Sequence, residues 1–217
     1  MNVASPQLPL EPAKVQDLES CLKAVLAEEE ALQNTSCSGS QLLAANFDRL
    51  ELLACLLESC VLRGCSLAKS SFVDVLFQDC DLSNCNLEGA YFQRCRFVRC
   101  KLVGTDFEDA VLKNCSFQDC TLAYSTFDRS SLTAFELQNC DLTEASFSTV
   151  KQKQFIAKNS SFCKTNFFQT PLCGIDFTGN QLTAPLLSSP PAELRGSVID
   201  MFQAAELIGL LGVVVKN

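Results

Sequence analysis

The stretch CDLSNCNLEGAYFQRCRFVRCKL, residues 80–102, repeats one pattern every five residues. A large apolar residue recurs at Leu82, Leu87, Phe92, Phe97 and Leu102. Two residues before each of these stands a small one, namely Cys80, Cys85, Ala90, Cys95 and Cys100. A period of five matches neither the helical period of about 3.6 residues nor the two-residue period of a strand. It indicates a short extended side followed by a corner, with both residue types pointing inward.

The pattern extends along most of the chain without a slip in phase. Large apolar residues occupy every fifth position from Leu42 to Phe147 and again from Phe162 to Leu187. The cysteines at positions 60, 80, 100, 120 and 140 are twenty residues apart, which indicates coils of four five-residue sides. At the strand spacing of about 4.8 Å, about seven or eight such coils make a rod about 35 Å long.

The motif of a small residue, a polar residue, Leu or Phe, and two variable residues resembles the pentapeptide-repeat family. Segments that match it closely are CDLSN (80–84), CNLEG (85–89), TDFED (105–109) and CDLTE (140–144). The resemblance covers residues 37–187 and implies an all-β solenoid, a right-handed quadrilateral β-helix. It implies no enzyme activity.

The fourteen cysteines are best explained by their size. Most of them share an inward position with Ala, Ser and Thr, and cysteine is a small, easily buried apolar residue. A zinc site usually needs closely spaced cysteines, commonly with histidine, and the chain has no histidine. We therefore expect free thiols and no metal. Cys163 and Cys173 follow the large inward residue, so they are the thiols expected to face solvent.

Composition limits the classes of function. The formal net charge is −8, which disfavours direct binding to nucleic acid or to an anionic membrane. Residues 1–12 lack the features of a signal peptide, so the expected compartment is the cytoplasm. The absence of histidine removes the commonest catalytic base, and no phosphate-binding glycine motif is present. The sequence predicts a protein that is not an enzyme and that binds no cofactor.

The N-terminal segment, residues 1–36, is predicted to form a helical cap. Residues 12–33 carry Val15, Leu18, Leu22 and Val25 at helical spacing, with Pro12 at the first turn. An open end of a β-solenoid exposes backbone groups and core, which need covering. A cap is the favoured role, and a separate partner-binding helix is the alternative.

The C-terminal segment, residues 188–217, is predicted to contain a capping helix and a short strand. Asp200 and Gln203 have capping-box spacing, Gly212 is a typical helix stop, and residues 213–215 are three valines. The helix has more apolar surface than one contact needs, so a cap on a monomer and a homodimer interface both stay open. The candidate residues of this interface are Phe202, Ala204, Leu207, Ile208, Leu210 and Leu211.

Acidic residues recur at one position of the coil and define a candidate binding surface, the acidic ridge. Its members are Asp48, Glu88, Asp106, Glu108, Asp109 and Asp128. The simplest interpretation is an ordinary solvated surface, and the functional one is a site for a basic protein partner. Arg94, Arg96 and Arg99 are expected to mark a different side of the rod.

The resemblance also suggests a partner, because members of the quinolone-resistance branch of the family imitate duplex DNA and bind DNA gyrase or topoisomerase IV. The repeat region, residues 40–187, holds 16 acidic and 13 basic residues, a net charge of −3. Duplex DNA carries about twenty charges over the same length. Two hypotheses therefore stand, a protein-binding module with another partner and a topoisomerase-binding DNA mimic.

One segment departs from the pattern. In STVKQKQFIAK, residues 148–158, Gln152 and Ala157 occupy positions that hold Leu or Phe elsewhere. The same segment brings Lys151, Lys153 and Lys158 to the surface. Two interpretations stay open: a local distortion that a partner recognises, or a poorly packed coil.

Overall fold

A computed structural model describes residues 3–213, except the side chain of Leu211. The chain forms a parallel β-solenoid of about nine turns. Strands of successive coils pair in parallel with a shift of twenty residues, for example Phe72 with Phe92 and Phe117 with Leu137. The predicted four-sided coil of twenty residues is therefore confirmed.

The described strands and helices follow one another in a simple order. Strands β1–β7 are Ala13–Val15, Leu32–Gln33, Thr35–Ser38, Glu51–Leu53, Leu56–Glu58, Ser71–Val73 and Leu76–Gln78. Strands β8–β14 are Tyr91–Gln93, Arg96–Val98, Val111–Gln118, Ser131–Gln138, Lys151–Lys158, Ser161–Cys163 and Gln181–Thr183. Helix α1 is Leu18–Ala27, helix α2 is Met201–Leu207, and two short 3₁₀ helices are Ala192–Leu194 and Ile208–Leu211.

The four sides of the coil differ in their pairing. We number the sides by the first complete coil. Side 1 is residues 41–44, side 2 is residues 46–49, side 3 is residues 51–54 and side 4 is residues 56–59. The same positions recur every twenty residues along the chain. Sides 3 and 4 carry the strand ladders up to β12, and the last ladder, between β13 and β14, lies on side 1. Elsewhere the pairing is sparser. Sides 1 and 2 are joined by single bridges, such as Asp81 with Lys101 and Asn86 with Asp106.

Stacked aromatic rings fill the core. The rings of Phe107 and Phe127 lie 4.7 Å apart and within 5° of parallel, and Phe147 continues the stack at 4.6 Å. All three side chains are fully buried. Because each coil repeats the inward position of the coil before it, phenylalanines in successive coils meet face to face. The inward direction of these large residues agrees with the five-residue period.

The corners need a left-handed backbone. The last residue of each five-residue side has a positive φ, for example 52° at Arg94, 55° at Asp109 and 66° at Gly104. Asparagine, aspartate and glycine tolerate this conformation best. At Gly104 a Cβ would also lie 2.5 Å from Oδ1 of Asn84, so that side chain would have to move.

The N-terminal cap is confirmed, but its helix is shorter than predicted. Helix α1 covers Leu18–Ala27 rather than residues 12–33, and Asp17 caps it by accepting a hydrogen bond from the Ser20 amide at 3.0 Å. The flanking residues pair instead with the first coil, β1 with β3 and β2 with β4. The ladder hydrogen bonds of the open solenoid edge outweigh helix propensity there. Leu18 and Leu22 are buried against the end of the core.

At the C-terminal end the coil continues beyond residue 187. Leu172 donates a backbone hydrogen bond to Glu193 at 3.0 Å, and Val198 donates one to Ile175 at 2.9 Å. Helix α2 then begins with the predicted capping box of Asp200 and Gln203. Of the predicted strand over residues 213–215, Val213 is exposed and not in a strand, while residues 214 and 215 lie outside the described part of the chain.

Candidate protein-binding surface

The six residues of the acidic ridge all lie on side 2 of the solenoid. Asp48, Glu88, Glu108 and Asp128 share one position of that side, with Ala68 in the same column. Asp106 and Asp109 belong to the same coil as Glu108. Since side 2 of residues 46–169 holds these six acids and three bases, its formal charge is −3.

The two ends of the ridge use their carboxylates to join coils. Oδ1 of Asp48 accepts hydrogen bonds from the Ser66 hydroxyl and, at 3.0 Å, from the Ala68 amide. Asp128 repeats this arrangement in a later coil with Ser146 and, at 2.8 Å, the Ser148 amide. Both aspartates are therefore half-buried, and part of their hydrogen-bonding capacity is already used.

The centre of the ridge is partly neutralised by an arginine. The Arg129 guanidinium forms ion pairs with Glu108 and, at 2.9 Å, with Asp109. Its hydrogen bonds to Asp109 lower the pKa of that carboxyl. This pair was not predicted from the sequence. The sequence feature that could have indicated it is the spacing of twenty residues between Asp109 and Arg129, which places them at the same corner of successive coils.

Glu88 is the most available carboxylate of the ridge. Its side chain is exposed, and within residues 3–213 it has no ion-pair partner. The amide of Glu88 donates to Oδ1 of Asn86 at 2.9 Å, which fixes the corner beneath it. Glu88 therefore keeps its carboxylate available, between the coil-joining Asp48 and the Arg129 cluster.

The three arginines expected on one side are in fact divided. Arg94 lies on side 3 and forms two hydrogen bonds to Asp74 at 2.6 and 2.7 Å. Arg96 and Arg99 lie on side 4, and Arg99 is paired with Asp79 at 2.7 Å. All three lie off side 2, as expected, but they do not form one basic side, because the chain turns a corner after Arg94 and two of the three are paired with aspartates.

Of the candidate C-terminal interface residues, some pack against the last coil and others are exposed to solvent. Leu207 is buried, and Nε2 of Gln203 donates to the carbonyls of Phe177 and Asn180, both at 2.8 Å. These contacts seal the last coil. Four of the candidate interface residues stay exposed: Phe202, Ala204, Ile208 and Leu210. Met201, which was not among the residues predicted from the sequence, is 78% exposed beside Phe202 at 81%. The side chain of Leu211 lies outside the described atoms.

The thiols are part of the coil-to-coil bonding. Buried cysteines donate to the carbonyl of the inward residue 23 positions earlier, as Cys95 does to Phe72 at 3.2 Å. Burial raises the pKa of Cys85 to about 12. All fourteen cysteines are free. Cys173 is exposed and Cys163 half-buried, and within residues 3–213 no cluster of acidic or cysteine side chains has the arrangement of a metal site.

Comparison with known families agrees with this geometry. A family model described as a pentapeptide repeat region matches residues 70–147 and 90–167. Residues 70–167 of this chain are a pentapeptide-repeat region. Its five-residue sides, inward Leu and Phe positions and four-sided coils are those that the motif had implied.

Solved structures that are similar to this chain have low sequence identity to it, and the first two share its fold. A trypsin-treated variant of QnrB1, described as a plasmid-mediated fluoroquinolone resistance protein, is 20% identical with a TM-score of 0.55, covering 86% of this chain and 99% of that one. A second trypsin-treated QnrB1 variant gives 20% identity and a TM-score of 0.54, covering 84% and 90%. HetL, from the cyanobacterium Nostoc, is 18% identical with a TM-score of 0.38, covering 85% and 98%.

None of the curated proteins matches this pentapeptide-repeat sequence. Among the described residues, no helix has the length and apolar character needed to cross a membrane.

Proposed function

We propose that this pentapeptide-repeat protein is a non-enzymatic binding module whose side 2 binds a basic surface of a protein partner. The observation that carries the proposal is the gathering of all six ridge acids on one side of a regular rod. Side 3, over residues 51–174, holds two acids and four bases, so the acidic charge is not spread evenly. The proposed compartment is the cytoplasm, where free thiols persist.

The spacing of the ridge suits a regular partner surface. Successive coils rise by about 4.8 Å, so Asp48 and Asp128, four coils apart, span about 19 Å. Charges arranged along a rigid scaffold steer association and suppress binding to acidic competitors.

Reversal of charge tests the ridge. We expect Glu88→Lys together with Asp106→Lys to abolish capture of the partner while circular dichroism stays unchanged. The matched control is Glu58→Lys with Asp119→Lys on side 4, which adds the same charge elsewhere. The proposal predicts a partner that binds the unmodified protein and the side 4 control equally and does not bind the ridge variant. Equal binding to all three proteins contradicts it.

The second candidate function is binding to DNA gyrase or topoisomerase IV as a DNA mimic that modulates quinolone susceptibility. It is supported by the acidic charge of side 2. QnrB1, which has the same fold, is a plasmid-mediated fluoroquinolone resistance protein, and this directs the test toward the same class of drug.

A supercoiling assay separates the two candidates. Gyrase is titrated with the protein, with and without a fluoroquinolone. Inhibition or drug protection at micromolar protein, lost in the ridge variant and kept in the side 4 control, supports the DNA mimic. Unchanged supercoiling by a folded protein excludes that candidate and leaves the module with another basic partner.

The exposed apolar residues of helix α2 support a further part of the proposal, a homodimer formed through this helix. Met201 and Phe202 project from the cap and stay largely exposed in the protomer. Sedimentation of the protein and of Met201→Ser with Phe202→Ser tests it. A dimer that becomes a monomer in the variant supports the proposal, and a monomer at all concentrations contradicts it.

A further inference from the structure

The segment before helix α1 runs down one corner of the solenoid. Ala13 pairs with Thr35, so it lies one coil before that residue. The amide of Gln7 donates to Oδ1 of Asp74 at 2.9 Å, at the corner between sides 3 and 4 and two coils further on. These contacts lie about 14 Å apart along the rod axis, and six extended residues reach at most about 20 Å. The chain from Gln7 to Ala13 therefore runs almost straight along the rod, past the corner at Ala54. We call residues 3–12 the N-terminal strap.

Burial shows that the strap covers this corner. Ala54 and Asp74, at the corners of two successive coils, are both buried. Ala134 occupies the same corner three coils after Asp74 and is only half-buried. Since Ala54 and Ala134 are the same residue at the same position of the coil, the difference arises from the chain that lies over Ala54. Within the strap Val3 is buried and Leu8 half-buried.

The outer surface beside this corner is apolar. Leu53 and Val73 precede the corner on side 3, and Leu56 and Leu76 follow it on side 4. All but Leu53 are half-buried. The equivalent positions of the next three coils hold only polar residues: Gln93, Arg96, Lys113, Ser116, Thr133 and Glu136. A group of outward-facing apolar residues on an otherwise polar surface marks a contact site.

Asp74 supplies a polar anchor within this apolar surface. The Arg94 guanidinium donates to both carboxylate oxygens, at 2.7 and 2.6 Å, and so fixes their direction. A carboxylate held in this way is a strong acceptor for a backbone N–H. The bond from Gln7 comes from the main chain, so any residue except proline can provide it. We call Asp74 and the four apolar residues Leu53, Leu56, Val73 and Leu76 the corner patch.

The strap is suited to a long, narrow surface. Its sequence, VASPQLPLEP, has prolines at positions 6, 9 and 12. Proline fixes φ near −65° and favours an extended chain without internal hydrogen bonds. Residues 3–9 accordingly lie in no helix or strand. Such a segment loses little conformational freedom when it docks, and its backbone N–H groups stay available to an acceptor.

We propose that the corner patch is a docking site for an extended, proline-containing apolar segment of a partner protein, and that the strap occupies it in the free protein. The strap itself defines the chemistry of the occupant. Apolar side chains cover the leucines and the valine, and one backbone N–H binds Asp74. Because the strap is tethered, it competes at a high effective concentration and sets a threshold for the partner. The patch is separate from the acidic ridge, which lies on side 2.

The strap peptide tests the proposal when it is added in trans. The probe is fluorescein-labelled VASPQLPLEP, the sequence of residues 3–12, and its binding to the full chain is followed by fluorescence anisotropy. The control peptide carries proline in place of the glutamine, so it has no N–H for Asp74. We expect the control peptide to bind about tenfold more weakly, because a hydrogen bond to a charged acceptor is lost.

Two variants of the strap measure the competition. Gln7→Pro removes the amide that Asp74 accepts and leaves the solenoid unchanged, whereas Gln7→Ala keeps that amide. A weakened strap leaves the patch open for a larger fraction of the time. Gln7→Pro should therefore bind the strap peptide about tenfold more tightly than the unmodified chain does. Gln7→Ala should bind it as the unmodified chain does.

Variants of the solenoid locate the site. In the Gln7→Pro chain, Val73→Gln with Leu76→Arg gives the patch the residues that the next coil carries at these positions, and it should abolish binding. Ser116→Arg with Thr133→Gln places the same residues elsewhere on sides 3 and 4 and should leave binding unchanged. Circular dichroism checks that each variant is folded.

Three results would overturn the proposal: no binding of the peptide to the Gln7→Pro chain, equal binding to Gln7→Pro and Gln7→Ala, or equal binding to the patch variant and its control. The ridge variant, Glu88→Lys with Asp106→Lys, should bind the strap peptide as the unmodified chain does. That result separates the corner patch from the acidic ridge.

Discussion

The ring of Phe97 lies parallel to that of Phe117, one coil later, with 4.4 Å between centroids and 2° between planes. Phe97 also stacks on Phe77 at 4.7 Å, so it is held on both faces. Its side chain is fully buried. A residue in the middle of such a stack cannot be shortened without leaving a cavity.

We expect Phe97→Ala to lower the free energy of unfolding by about 3–5 kcal/mol, because the stacked neighbours cannot close the gap. Urea unfolding followed by circular dichroism measures it. The control is Phe168→Ala, since Phe168 is 43% exposed, and its cost should stay below about 1 kcal/mol. A similar loss in both variants would contradict the stacked-core assignment.

The buried ion pair of Asp74 and Arg94 should matter more than its exposed counterpart. Asp74 also accepts the Gln7 amide at 2.9 Å, which ties the N-terminal segment to the solenoid. Arg94→Met should destabilise the protein by about 3 kcal/mol, because an almost buried carboxylate loses its partner. Arg99→Met breaks the exposed pair with Asp79 and should cost less than about 1 kcal/mol. Equal costs, measured by urea unfolding, would argue against this difference in burial.

The same carboxylate should contribute to acid sensitivity. Burial alone raises the pKa of Asp74, but the hydrogen bonds from Arg94 and Gln7 outweigh it, and the net pKa lies below the ordinary value. Its stabilising contribution is therefore present above about pH 3.9 and is lost as the pH falls through the folded-state pKa. The melting temperature of Asp74→Asn should depend less on pH, between about pH 5 and about pH 2, than that of the unmodified chain. An unchanged slope would exclude this role.

The seal of the last coil depends on Gln203. Gln203→Leu leaves the carbonyls of Phe177 and Asn180 without their donor in a buried place, which should cost about 2 kcal/mol. Glu206→Leu on the exposed face of the same helix is the control. Hydrogen exchange should show faster opening of residues 171–183 in the Gln203 variant only. Uniform exchange in the two variants would mean that the helix does not seal the coil through this side chain.

Thiol reactivity should separate the surface from the core. In the native protein an aromatic disulfide reagent should react first with Cys173, then with the half-buried Cys163 and Cys21. The eleven buried thiols should react only after unfolding, because burial excludes the reagent. Cys173→Ser should remove the fast phase. A fast phase that survives this substitution would show that another thiol reaches solvent.

The middle of the fold could be predicted from the sequence because one residue pattern repeats in every coil. From Leu42 onward, each inward residue predicts the next. The ends could not be predicted in this way, since the pairing of Ala13 with Thr35 and of Asp176 with Val198 has a shift of 22 residues and no repeated motif. Strand pairing there overrides the helical spacing of residues 12–33.

The candidate surface was predicted in position but not in charge. The column through Asp48, Glu88 and Asp128 follows from the twenty-residue coil. The ion pairs of Arg129 with Glu108 and Asp109 depend on the directions of these side chains at stacked corners of two coils, which the sequence does not specify. Within residues 3–213, no strand pairs β12 with the coil that follows it. This feature had only an indirect signal in the sequence, the loss of large residues at Gln152 and Ala157, because a residue pattern does not show the hydrogen bonds between coils.

Within residues 3–213 the strand ladders of sides 3 and 4 end at β12, and this interruption divides the molecule mechanically. A solenoid behaves as a linear array in which each coil is coupled only to its neighbours, so its strength is that of its weakest joint. Between residues 151–159 and 171–179 two of the four sides lack the ladder that other coils share. Pulled from its ends, the rod should therefore extend in two stages, the coils after β12 first and the Phe-stacked body at higher force.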